Sequence, residues 1–94
     1  NRTAGDIRMN ARRDFLDEFG NPAAKGFYVV MASFKNKDYA DRLKKEKGYQ
    51  SVFNKVREFH YVYVKRFDDY GKAKDLLIKK ARKEVADSWI YNLR

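Results

Sequence analysis

The 94-residue chain carries 22 Lys and Arg against 13 Asp and Glu, a formal charge of +9, and 16% of its residues are aromatic. Cysteine is absent, which excludes disulfides, thiolate metal sites and thiol nucleophiles. The one histidine, His60, and the serines Ser33, Ser51 and Ser88 fall in no nucleophile-elbow or metal-ligand spacing, so catalysis is a poor fit and neither metal nor cofactor is expected.

Mean hydropathy is −0.85, and the longest uncharged run, Gly26 to Phe34, has nine residues. That is strand length, far below the ~18 apolar residues of a membrane-spanning helix. The length predicts one domain. With neither a signal peptide nor an initiator Met, the sequence reads as a piece of a longer protein.

In chain order, Asp6 is a candidate cap for a helix with Ile7, Ala11, Phe15 and Phe19 at i+4 spacing, ended by Gly20-Asn21-Pro22. Phe27–Phe34, uncharged and rich in aromatic and β-branched residues, predicts a central strand. Asn36 or Asp38 caps a helix through Ala40 and Leu43 that stops at Lys47-Gly48. Tyr49–Val56 and Phe59–Phe67 predict two further strands. Asp68 or Asp69 opens a helix with the apolar stripe Ala73, Leu76, Leu77, Ala81 and Val85, broken at Asp87, and Ser88–Leu93 predicts the last strand. Asp41 with Lys45 and Asp75 with Lys79 have i,i+4 ion-pair spacing.

A shift of 33 residues lays Tyr28, Val29 and Phe34 on Tyr61, Val62 and Phe67, and Ala40 and Leu43 on Ala73 and Leu76. Two copies of one β-α-β unit are implied, about residues 27–56 and 60–93, in a domain spanning 26–94 behind an N-terminal segment of 1–25. The order βαββαβ predicts an α+β, ferredoxin-like fold: a four-stranded antiparallel sheet with both helices on one face. Strand alternation sends Val29, Met31, Val62, Val64 and Ile90 under the helices. Tyr28, Val30, Ala32, Phe59, Tyr61, Tyr63, Trp89 and Tyr91 then collect on the opposite, open face. An uncovered aromatic patch of this size is a binding surface. The alternative is a patch that pairs across strands, or that lies under the N-terminal segment, whose Phe15 and Phe19 also need burial.

Eleven basic residues fall on the two predicted helices, on the side away from the aromatic patch. Only Lys55, Arg57, Lys65 and Arg66 could rim it. A single-stranded nucleic acid needs cations beside its stacking rings, whereas a neutral polysaccharide suits an uncharged, tyrosine-rich platform. An RNA-binding sheet of the same topology remains the alternative, although Phe59 to Arg66 lacks the glycine and leading base of that motif. A protein–protein or dimerisation surface is the third reading.

Tyr28-Val29-Val30-Met31-Ala32-Ser33-Phe34, followed by Ala40, Leu43 and Gly48-Tyr49, resembles the repeat of SPOR domains of bacterial cell-envelope proteins. The second copy is Tyr61-Val62-Tyr63-Val64-Lys65-Arg66-Phe67 with Ala73 and Leu76, closing on Asp87-Ser88-Trp89-Ile90. The resemblance covers Gly26 to about Tyr91. It implies a non-catalytic, peptidoglycan-binding module in the periplasm or envelope that brings a host protein, and the machinery attached to it, to the wall, with a preference for glycan strands stripped of stem peptides. The Lys-rich, Trp-ending version is most similar to modules on outer-membrane-associated proteins of gliding bacteria. The ligand positions it implies are Val30 and Ser33, Phe59 and Tyr61, and Trp89 to Tyr91, within a platform of Tyr28, Val30, Ala32, Ser33, Phe59, Tyr61, Tyr63, Trp89 and Tyr91. The chain departs from the family pattern at Val30, where many members have Gln. It also has Ala32 for the family Gly and Lys65-Arg66 for Gly-Pro.

Overall fold

The computed structural model describes residues 14–94 and, as backbone, residues 7–10. Strands β1 (Ile7–Asn10), β2 (Phe15–Leu16) and β3 (Gly26–Phe34) lead into helix α1 (Lys37–Lys47). Strands β4 (Gln50–Asn54) and β5 (Phe59–Phe67) follow. Helix α2 (Tyr70–Leu76) then passes through a π-helical turn (Leu77–Ala81) into a short α3 (Arg82–Glu84), and β6 (Trp89–Leu93) ends the fold.

The local signals for α1 act as expected. The Asn36 side chain accepts the Asp38 N–H at 2.8 Å, satisfying one orphan donor of the first turn. Gly48, at φ 70°, returns its N–H to the Lys44 carbonyl, as a left-handed C′ residue does. Asp69 caps α2 through the Gly71 N–H at 3.1 Å. Ala73, Leu77 and Ala81, four residues apart, form the buried stripe of the second helical stretch. Asp75 pairs with Lys79 at 3.1 Å, and Asp41 pairs with Lys37 at 2.7 Å and Lys44 at 3.6 Å.

The strands form one sheet in the order β1-β6-β3-β5-β4-β2. Its β6-β3-β5-β4-β2 part is antiparallel, and β1 adds in parallel to β6. The expected four strands are therefore flanked by one more on each side. The N-terminal helix is corrected with them: Ile7 lies in β1, Phe15 in β2, and Phe19 in the turn after it, while Asp6 and Ala11 lie outside the described residues. The edges of β6 and β4 would otherwise present unpaired backbone groups, and the N-terminal segment supplies their partners.

The sheet is strongly curled. In a flat sheet, β2 and β6 would stand about 19 Å apart, four strand spacings. Instead the Phe15 ring of β2 lies 5.5 Å from the Tyr91 ring of β6. Gly26 begins the central strand at φ 140°, where a Cβ would stand 2.8 Å from the Phe67 carbonyl oxygen; only glycine lets β3 and β5 meet there.

Two cores result. Val29, Met31, Ile90, Ala73, Leu77 and Ala81 pack between the sheet and the helices. Tyr28, Val30, Val52, Tyr61, Trp89, Tyr91 and Leu93 pack on the concave face with Phe15 and Ala23.

Candidate functional site

Alternation along the strands places the concave face largely as the sequence predicts. Tyr28 stands opposite Tyr91, and Val30 opposite Trp89, on neighbouring strands. Val30 also faces Tyr63. The register shifts on both sides of that pair, skipping Val64 on β5 and then Met31 on β3, so that Ala32 lies opposite Val62 and Ser33 opposite Tyr61. A break in pairing of this kind turns the alternation over by one residue. Ala32 consequently leaves the aromatic face for the helix side, a correction to its expected position, and the exposed Ser33 takes its place.

The expectation of an open face is also corrected. Tyr28, Val30, Tyr61 and Tyr91 are buried, and Trp89 retains 8% of its surface. Phe15 covers them. Its ring, 0% exposed, sits 5.8 Å from Tyr61 and 5.5 Å from Tyr91. The segment behind it is held by the Ala23 N–H on the Phe15 carbonyl (3.0 Å), the Lys55 N–H on the Asp14 carbonyl (2.9 Å) and the Tyr28 hydroxyl on the Ala24 carbonyl. Phe19, the other ring of that segment, stays in solvent at 86% exposure.

What remains accessible lies at two ends of this face. At one, Phe59 is half-buried with the Lys35 ammonium 5.3 Å from its ring, a cation–π contact. Ser33 is beside it across from Tyr61, and the Asn54 side chain shapes the next turn by accepting the Val56 and Arg57 N–H groups at 3.0 and 3.1 Å. Arg57 and Val56 are exposed there. At the other end, the half-buried Tyr63 meets Tyr28 edge-on at 4.7 Å. Both line a cavity of about 210 Å³ with Asp17, Gln50 and Arg66.

Burial holds the Tyr61 and Tyr63 phenols in their neutral form. The Tyr61 phenol is raised by burial and then by its hydrogen bond with Tyr91. Burial, and then the neighbouring Tyr28 and Glu18, push Tyr63 up to about 12. An unfolded tyrosine ionises near pH 10, so between about pH 10 and 12 unfolding releases a proton that the folded state keeps. Stability is complete below that window and falls as pH rises through it. The urea midpoint should drop between pH 9.5 and 11.5, and by less in Tyr63→Phe; an equal drop in the variant would contradict this.

His60 packs on Phe53 at 4.6 Å, and its pKa is lowered by burial and then by Lys37, a strand histidine kept neutral. Among the described residues no cluster of His, Asp and Glu could hold a metal ion, and no helix is long and apolar enough to cross a membrane.

The SPOR domain profile matches residues 23–92. The chain belongs to the SPOR family. SPOR domains are peptidoglycan-binding modules, not enzymes, and occur in bacterial cell-envelope proteins. No curated protein and no solved structure is similar enough to match. The match begins at Ala23, so Phe15, which covers the aromatic face of this SPOR domain, lies outside it. Cover by the N-terminal segment, through Phe15 and Phe19, is the alternative that the sequence offers to an open face; in the structure Phe15 alone supplies it, from a strand rather than a helix, while Phe19 stays in solvent.

Proposed function

We propose that this SPOR domain binds glycan strands of peptidoglycan without catalysing any reaction, and so holds its host protein at the wall within the periplasm. The reading is carried by the accessible end of the aromatic face, where the Phe59 ring, flanked by Lys35, stands beside the exposed Ser33. A sugar ring can lay its C–H face on Phe59 while the Ser33 hydroxyl, Lys35 and Arg57 bond its hydroxyls. Tyr61, Trp89, Tyr91, Val30 and Tyr28 form the rigid floor behind this edge, and Tyr63 marks its far end. Ala32, displaced by the register slip, supports the strand from behind.

The test is co-sedimentation with purified sacculi, intact and amidase-stripped, at two salt concentrations and with single-stranded RNA as competitor. Pelleting should rise on stripped sacculi and survive both salt and RNA. Phe59→Ala should weaken it about fivefold or more, the equivalent of one aromatic contact near 1 kcal/mol. Undiminished binding by Phe59→Ala removes this edge from the site. Pelleting abolished by RNA removes the glycan reading.

A further inference from the structure

The charge of this domain is segregated. Helix α1 and the stretch from α2 to α3, residues 37–47 and 70–84, hold eleven basic and five acidic residues. The rest of residues 14–94 holds seven of each sign. The whole net charge of this part of the chain, +6, therefore sits on the helix layer, opposite the aromatic face.

Little of it is neutralised internally. Lys37, Lys44 and Lys79 have acidic partners, but Lys45, Lys47, Lys72, Lys80 and Lys83 form no ion pair with another described residue. Each helical stretch also presents one large apolar side chain to solvent, Tyr39 on α1 and Ile78 on the π-helical turn, both 53% exposed. Lys47 and Lys80 border a cleft of about 280 Å³ between the helices, with Met31, Val64, Leu76 and Ala81 among its lining and one acid, Glu84, which accepts the Tyr49 hydroxyl at 3.0 Å. Cations around apolar matter suit an anionic headgroup on an apolar stem.

We infer that the helix layer docks on an anionic lipid bilayer. Lysines near such a surface each contribute roughly a fivefold factor to binding, and an exposed apolar side chain on a basic helical face enters the headgroup boundary. A single-stranded nucleic acid fits less well, because its bases need rings beside the cations. The aromatic cluster lies across the sheet and is buried. The domain would thus present its neutral sheet edge and its cationic helices in opposite directions, to two different partners.

The experiment is co-sedimentation of the 94-residue protein with phosphatidylcholine vesicles, with and without 30 mol% phosphatidylglycerol, at about 0.15 M salt. Binding should require the anionic lipid. Lys80→Glu with Lys83→Glu should reduce it about 25-fold or more. Lys25→Glu with Arg94→Glu, the same change of charge at exposed positions off the helices, should reduce it by less than about threefold. Equal losses in the two pairs would mean attraction by net charge alone and overturn the inference, as would no binding to the anionic vesicles. Ile78→Ser separates a bilayer from a plain polyanion. It should weaken vesicle binding about threefold and leave binding to a single-stranded RNA unchanged; vesicle binding unaffected by Ile78→Ser overturns the bilayer in favour of a polyanion. Circular dichroism of each surface variant should match the parent.

Discussion

Phe15→Ala is expected to cost about 3–5 kcal/mol of folding stability, the range for emptying a fully buried phenylalanine site. The change removes a ring in contact with Tyr61 and Tyr91, where β2 and β6 approach across the curl. β2 itself has only two residues and cannot hold its position by backbone pairing alone. A domain of this size has roughly 5–14 kcal/mol in total, so the variant should unfold at a far lower urea concentration. Phe19→Ala, four residues on and in solvent, should stay within about 0.5 kcal/mol of the parent. Similar urea midpoints for the two variants would show that Phe15 does not close the concave core.

Tyr61→Ala should be comparably damaging, again about 3–5 kcal/mol, although the sequence places this ring on a ligand platform. Only 3% of Tyr61 is exposed. It is the hub of the cluster, with Tyr91 at 4.7 Å, Phe15 at 5.8 Å, Phe59 at 6.1 Å and Trp89 at 6.4 Å. Tyr61→Phe keeps the ring and loses only the hydroxyl beside Tyr91 and Asn54, a change of about 1 kcal/mol. Chemical denaturation of both variants distinguishes a core residue from a binding residue. A folded, stable Tyr61→Ala that has lost only sacculus binding would restore Tyr61 to the ligand surface. On the present geometry, reduced wall binding by Tyr61→Ala would follow from loss of the fold, whereas Phe59→Ala acts at the accessible edge.

These two expectations mark the division between what is local and what is not. β5 begins and ends where its alternating apolar run does, and α1 runs from its Asn36 cap to its Gly48 stop, because each signal acts within a few residues. The N-terminal segment has no such signal. Ile7, Ala11 and Phe15 share a helical spacing, but β1 and β2 are stabilised by pairing with strands about 80 and 40 residues away, and that energy is invisible to a local pattern. Ala32 was misplaced for a related reason: a period of two assumes unbroken pairing, and the slip at Met31 exists only between β3 and β5.

By itself, the sequence determined the α+β class, strands β3 to β6 with the helical stretches between them, the SPOR relationship and the sorting of nearly every residue of those strands between two faces. The SPOR relationship rests on the resemblance of the motifs at Tyr28–Phe34 and Tyr61–Phe67; the rest follows from side-chain periodicity or from caps and turns that act over short distances. Only the tertiary structure decided that the aromatic face is a second core closed by Phe15, leaving Phe59, Ser33 and Tyr63 as its accessible margin. Periodicity states which way a side chain points. What covers it depends on how far the sheet curls and where a distant segment returns, and burial of that aromatic surface stabilises both.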